Sequence, residues 1–209
     1  VISDGHTRLT LLKLAGLLHD IAKPATRSVD TSGRVRFLGH SKIGAEMSRE
    51  ILENLRLSRR GINLVGLTVE YHLRPSQMSH NGKLPTDRAI FRYYRDAKDA
   101  AIDTLYLNLA DYLGAKGPSL REKEWNDHCF IVGHILKSSS LTKKTEPLPK
   151  LVDGHDIMNT FSMNPGPRVG SLLNTVTEAQ ASGEIMSREE AIELIECKLT
   201  SGGVHAQVC

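Results

Sequence analysis

Aromatic side chains are scarce in this chain. They make up 5% of its 209 residues, with a single Trp, so the core has to be built from Leu, Ile, Val, Ala and Met. Cysteine is scarcer still. Cys129, Cys197 and Cys209 are odd in number and widely spaced, which supplies neither a disulfide framework nor a zinc knuckle and leaves the cytosol as the expected compartment. No apolar run is long enough to span a bilayer, and there is no secretory signal, so no membrane partner is expected. Charge of one sign is also missing in excess. The formal net charge is +3, without the dense basic stripe of a non-specific nucleic-acid binder, so an RNA partner is permitted but not required. A hydrophobic content of 40% with 24% charged residues fits one globular domain or one and a half.

What is present centres on Leu14–Pro24. Leu11, Leu12, Leu14, Ala15, Leu17, Leu18, Ile21 and Ala22 are apolar around most of a helical wheel, which predicts a buried helix. Pro24 disfavours helical geometry at Lys23, so the helix is expected to end there. Its last turn nevertheless carries His19, Asp20 and Lys23. An imidazole and a carboxylate in an apolar setting are costly unless something pairs with them. A divalent cation does so, at the end of the helix where the dipole favours positive charge. Lys23, one turn beyond His19, can hold an anionic substrate against the ion. A second pair, His155–Asp156, follows Gly154 and precedes a short apolar run; it reads as a helix start, with a structural role.

Elsewhere, Asp30–Gly33 signals a turn between short segments, either a small hairpin or an irregular excursion. Ser41 suits an N-cap for a helix whose apolar positions are Ile43, Met47, Ile51 and Leu55. His40 then stands at a helix N-terminus, where the dipole favours neutral imidazole. A helix over 61–72 has to stop near Leu73 because Arg74–Pro75 follows, which puts His72 and Arg74 at a helix end. Ser76–Pro85 reads as a surface loop. The helix over 86–95 carries Arg88, Arg92 and Arg95 on one face, either aimed at phosphate or simply solvated. In the helix over 99–113, Ile102, Leu105, Leu109 and Leu113 form the apolar stripe. Asp111 interrupts that surface, either exposed beside the stripe or buried with a partner. A further helix spans 120–137 and contains Trp125.

Ser138–Pro149, with three serines, Lys143–Lys144 and two prolines, reads as a linker. The expected organisation is a first domain over 1–137, a linker over 138–150, a helical extension over 151–200 and a tail over 201–209. Short helices are expected near 157–163, 170–180 and 187–199, the last opened by a Ser187/Glu190 capping box.

Leu17-Leu-His-Asp-Ile-Ala-Lys-Pro24, Phe37-Leu-Gly-His40, Gly44-Ala45, His72-Leu-Arg-Pro75 and Leu109-Ala-Asp111 together resemble the HD phosphohydrolase superfamily. More narrowly, they resemble the HD region that follows the head of bacterial CCA-adding tRNA nucleotidyltransferases and poly(A) polymerase-like proteins. Leu151–Gly154, Pro165–Gly170 and Gly183–Ala191 are similar to the downstream part of those proteins. The resemblance implies an all-α helical bundle with a short C-terminal helical extension. It also implies a divalent metal (Mg, Mn, Ni, Co, Fe or Zn) held by His19, Asp20 and Asp111, which moves Asp111 from exposed charge to ligand. His40 and His72 match extra histidines that serve a second metal or the substrate. The family's first histidine normally lies farther upstream than His6, which is thirteen residues before His19, so that ligand and the nucleotidyltransferase head are expected to lie outside this stretch. Such a fragment is not expected to add CCA.

The chemistry expected of these residues is phosphate-ester hydrolysis. Imidazole and carboxylate ligands suit a transition metal, which lowers the pKa of water toward neutrality. Lys23, with Arg74, Arg92 and Arg95, is expected to neutralise charge on phosphoryl oxygens, and His40 or His72 to move a proton or bind a second ion. Against this stand blander roles: helix-end histidines as caps, Lys23 as an acid's ion-pair partner, and His80, His128, His134, His155 and His205 as surface or structural groups. Two further readings of the whole chain remain open, a tRNA- or RNA-binding helical body with a vestigial site and a structural domain that holds a metal.

Overall fold

Thr7 opens the first helix by accepting a hydrogen bond from the Thr10 amide, and α1 runs Arg8–Leu18. The helix stops one turn short of the expected Lys23. His19 is its C-cap, residues 19–22 form a turn, and Pro24 sits in the first turn of α2 (Lys23–Thr26). Proline begins a helix here rather than ending one, because its missing N–H is one the first turn leaves unpaired anyway. The expectation of burial all round α1 also fails on one flank: Leu11, Ala15 and Leu18 are buried, but Leu17 is 78% exposed. The computed structural model describes residues 5–79, 83–142 and 149–201.

Of the two possibilities after Pro24, the chain adopts the hairpin. Strands β1 (Arg27–Val29) and β2 (Val35–Phe37) pair antiparallel, with Arg27 opposite Phe37. Asp30 secures the turn by accepting from the Ser32 and Arg34 amides and from Arg36. Gly39 follows at φ 79, a left-handed geometry that favours glycine, and it, not Ser41, caps α3 (His40–Asn54). The buried face of α3 is His40, Gly44, Ala45, Ser48 and Leu52, rotated from the expected stripe; Ile43 and Leu55 are exposed. Small residues on that face let α3 lie close to α4, and the Ser48 hydroxyl is satisfied by the Gly44 carbonyl.

Ser58 caps α4 (Arg59–Tyr71), which stops with His72 as its C-cap before α5 (Arg74–Gln77). Helix α6 covers Asp87–Ala97. A 3-10 turn at Lys98–Ala100 leads into α7 (Ala101–Lys116), and α8 runs Glu122–Thr142. Helix α8 therefore carries through Ser138, where the linker was expected to begin. Residues 143–148 of that expected linker, with Lys143 and Lys144, lie outside the described residues, as do His80, His205, Cys209 and the rest of the tail beyond Ser201.

The chain divides into two compact units, Val1–Thr86 with Tyr93–Ser140, and Asp87–Arg92 with Leu141–Cys209. The core of the first gathers Leu11, Ala15 and Leu18 of α1, Ala45 and Leu52 of α3, Ile62, Val65 and Val69 of α4, and Leu107 of α7. It is aliphatic, as the composition requires. Tyr93, fully buried, donates to the Ala101 carbonyl and ties α6 to α7.

In the second unit, α9 (Gly154–Phe161), α10 (Pro167–Ala181) and α11 (Arg188–Ser201) enclose Ile157, Val169, Leu172, Val176, Ala179 and Ile195. Asp153 is the N-cap of α9 and Asp156 its N3 partner in a capping box. The second His-Asp pair thus does open a helix, three positions later than the cap itself. Asp156 also holds Arg188 at 2.5 Å, and Ser187 and Glu190 form the predicted box before α11. The fold is all-α apart from the hairpin, and among the described residues no helix is long and apolar enough to cross a membrane.

Candidate metal centre

Three histidines come from three different helix boundaries. His19 ends α1, His72 ends α4 and His40 begins α3. Each ring is aimed the same way, with Nδ1 2.7 Å from the carbonyl oxygen three residues back: Gly16 for His19, Phe37 for His40 and Val69 for His72. At the ends of α1 and α4 those carbonyls are among the ones a helix leaves without an amide partner. A carbonyl only accepts, so Nδ1 carries the hydrogen and the Nε2 lone pair is left facing inward. All three Nε2 atoms are buried without a hydrogen-bond partner.

They face carboxylates. His19 Nε2 lies 3.3 Å from Asp20 Oδ2 and 3.4 Å from Asp111 Oδ1, and Asp20 Oδ1 lies 3.4 Å from His40 Nε2 and 4.0 Å from His72 Nε2. The imidazoles of His19 and His72 meet edge-on at 5.1 Å, and those of His40 and His72 at 5.4 Å. Lone pairs turned toward anionic oxygens repel unless a cation lies between them. A proton can serve. Asp111, aided by Asp20 and the Gly16 carbonyl and opposed by burial, raises the pKa of His19, and His19 in turn lowers that of Asp111. Burial lowers the pKa of His72.

A divalent ion can serve there too. His19, Asp20 and His72 offer ligand atoms within 4.8 Å of one another, and the nitrogen–oxygen separations of 3.3–4.0 Å suit donors sharing one ion at about 2.1 Å. Mixed imidazole and carboxylate donors select Mn, Fe, Co, Ni or Zn over calcium. Asn108 supports the arrangement from α7, one turn before Asp111: its buried amide donates to the His72 carbonyl and to Ser76 Oγ. Sequence reasoning passed over Asn108. The signal was a second polar residue, three before Asp111, on the same apolar helix.

Of the remaining predicted site residues, Lys23 lies at the centre, with Nζ 2.5 Å from Asp20 Oδ2 and over the Phe37 ring. Arg74 is 4.0 Å from Asp96, which also takes Arg95 at 2.8 Å. Arg92 belongs to the second unit, where Glu178 holds it at 2.8 Å and Arg88 at 3.4 Å. These arginines, expected at phosphate, are answered by carboxylates instead, most of them distant in sequence. His6 is half-buried ahead of α1 and forms no part of the His19–Asp20–His72 group. Of the two roles expected for His128, surface or structural, the structure gives it the structural one. It is buried flat against Tyr112 at 4.1 Å, its Nε2 also without a partner.

An all-helical bundle with a His-Asp pair closing one helix and a distant Asp completing the cluster defines a class, and the comparison with known families agrees: the HD domain model matches residues 3–116, and the chain belongs to that family. Among individual proteins, it is 33% identical over 189 residues to the A-adding tRNA nucleotidyltransferase of Deinococcus radiodurans, covering 89% of this chain and 41% of that protein. It is 34% identical over 186 residues to the CC-adding tRNA nucleotidyltransferase of Thermus thermophilus, covering 86% and 38%. A bifunctional uridylyltransferase/uridylyl-removing enzyme of Nitrosococcus oceani is 31% identical over 151 residues, 71% of this chain and 16% of that protein. The chain spans about two fifths of the length of the two tRNA nucleotidyltransferases it matches.

Proposed function

We propose that the cluster on α1, α3, α4 and α7 is a metal-dependent phosphohydrolase site acting on a phosphomonoester or phosphodiester, in a cytoplasmic protein. The observation that carries this reading is the set of three imidazoles locked with Nδ1 outward and buried, unpartnered Nε2 atoms inward, facing two carboxylates. His19, Asp20 and Asp111 would hold the ion, with His72 and His40 beside them for the same ion or a second. A bound divalent cation supplies Lewis acidity toward phosphoryl oxygens and acidifies water. Lys23, 41% exposed beside Asp20, would take a phosphoryl oxygen and stabilise the charge that develops there. His40, its Nε2 lone pair turned inward 3.4 Å from Asp20 Oδ1, would accept a proton from the attacking water or act as a further ligand. Metal content by mass spectrometry, with hydrolysis of a generic phosphodiester and phosphomonoester, tests the reading. Bound transition metal and turnover are expected in the wild type and neither in Asp20→Ala; turnover unaffected by that change refutes it.

A second reading has its own support. Two relatives that cover most of this chain are named for action on tRNA, which favours a helical body that carries tRNA within a longer protein, its HD cluster holding metal without turnover. Steeply salt-dependent tRNA binding by a metal-loaded, inactive chain would select it.

A further inference from the structure

Helices α1, α4 and α7 all end at or pass the metal centre, and all three begin at the opposite end of the first unit. From there a cavity of about 630 Å³ runs along α4, lined by Arg8, Arg49, Arg60, Asn63, Lys98 and Asp99 with the apolar Leu64 and Leu67; Arg8 stands about 16 Å from His19 along the eleven residues of α1. Arg8 is the first residue of α1, Arg60 the second of α4, and Lys98 opens the 3-10 turn that leads into α7. Two of the cations are fixed in place. Arg8 grips Asp103 and the Asp99 carbonyl, and Arg49 holds Glu70 at 3.1 Å. The absence of a side chain at Gly66 makes room for Arg49, since a Cβ there would fall 2.6 Å from its Nε. Arg60 and Lys98 have no acidic partner among the described residues.

The geometry points to a second ligand site at this end of the bundle, one that takes a phosphate-bearing small molecule the size of a nucleotide. The four cations face Asp99, Asp103 and Glu70, leaving a surplus of one positive charge, and the positive ends of three helix dipoles add to it. Two cations held rigidly and two left free make a phosphate cradle of fixed forks and adaptable arms. Leu64 and Leu67 with the Asn63 amide line a partly polar wall for a base or similar ring, in a volume typical of such pockets.

Calorimetric titration of the full chain in chelator, at low and high salt, with inorganic pyrophosphate, ADP and a short single-stranded RNA tests this. Pyrophosphate and ADP are expected to bind. Arg60→Gln and Lys98→Gly should each weaken both about tenfold, as loss of one charge-assisted contact does, while Asp20→Asn leaves them unchanged. Lys98 sits at φ 49, so glycine relieves backbone strain there, and the melting temperature of that variant should be no lower than wild type. Binding of RNA without binding of either small anion overturns the proposal. So does ADP affinity that is lost in Asp20→Asn but kept in the two cavity variants, which would place the ligand at the metal centre instead.

Discussion

Replacing Asp20 with Asn separates the metal reading from a purely structural one, because the two costs differ in size. Without metal the change removes the Asp20–Lys23 ion pair, whose side chains are 31% and 41% exposed. Such a pair contributes at most about 1 kcal/mol. The new amide can also donate to an inward Nε2 lone pair, offsetting part of that, so the metal-free variant should melt within a few degrees of wild type. With metal the balance changes. An ion at a hundred times its dissociation constant stabilises the folded chain by about 2.7 kcal/mol, which at about 2–4 °C per kcal/mol for a chain of this size raises the melting temperature by about 5–10 °C. Asparagine removes the negative charge that joins His19, His40 and His72, and that rise should vanish. Scanning calorimetry of both proteins, each with chelator and with Mn, Co, Ni or Zn, gives the comparison needed, four curves for each metal tried. An equal metal-induced rise in the variant, or none in wild type with any of these ions, would refute the reasoning.

Further outcomes follow from the same geometry. The pKa of His19 is raised, chiefly by Asp111, so its contribution to metal-free stability is complete below the free-imidazole value near 6.5 and is lost as pH rises through the elevated pKa. A metal needs that nitrogen unprotonated, so metal affinity measured by competition should change in the opposite sense, rising with pH over the same window. Asp30, held down to about 2 by Ser32, Arg36 and Arg34, should keep the hairpin's turn intact until pH falls below the ordinary aspartate value and release it as pH approaches 2; NMR titration of its carboxyl carbon reads this directly. Tyr93→Phe removes the phenol's hydrogen bond to the Ala101 carbonyl, which keeps its helical partner in α7, and should cost about 0.5–1.5 kcal/mol in urea unfolding. Asp153→Ala removes the α9 N-cap and should cost about 1 kcal/mol, read in the melting of the second unit.

The part of the cluster that could be read in the sequence is the part written locally. His19 and Asp20 stood out because they close an apolar helix; Asp111 breaks an apolar stripe, which alone read as exposed charge, and it was the family resemblance that made it a ligand. The structure sets His19 beside both carboxylates. What depended on distant partners could not be read. The face shared by Arg88, Arg92 and Arg95 was real as spacing, but Glu178, some ninety positions away, decides where two of those guanidinium groups go. The stripe at Ile43, Met47, Ile51 and Leu55 was outweighed by the close approach of α3 to α4, which prefers Gly44, Ala45 and Ser48 inside. Pro24 misled for a different reason: the same ring that ends one helix is well suited to begin the next.

The carbonyl three residues behind each histidine has a consequence for how the cluster could be altered. Because the backbone immediately upstream fixes where each imidazole points, the aim of His19 and His72 is a matter of angular register along the helix. One residue inserted between Leu11 and Gly16, or between Ile62 and Val69, would swing the ring about 100° around its axis while leaving its hydrogen bond to the preceding turn intact. Insertions are therefore expected to silence the centre even where the helices still form, whereas exchanges that keep the count of residues constant leave the rings pointed inward.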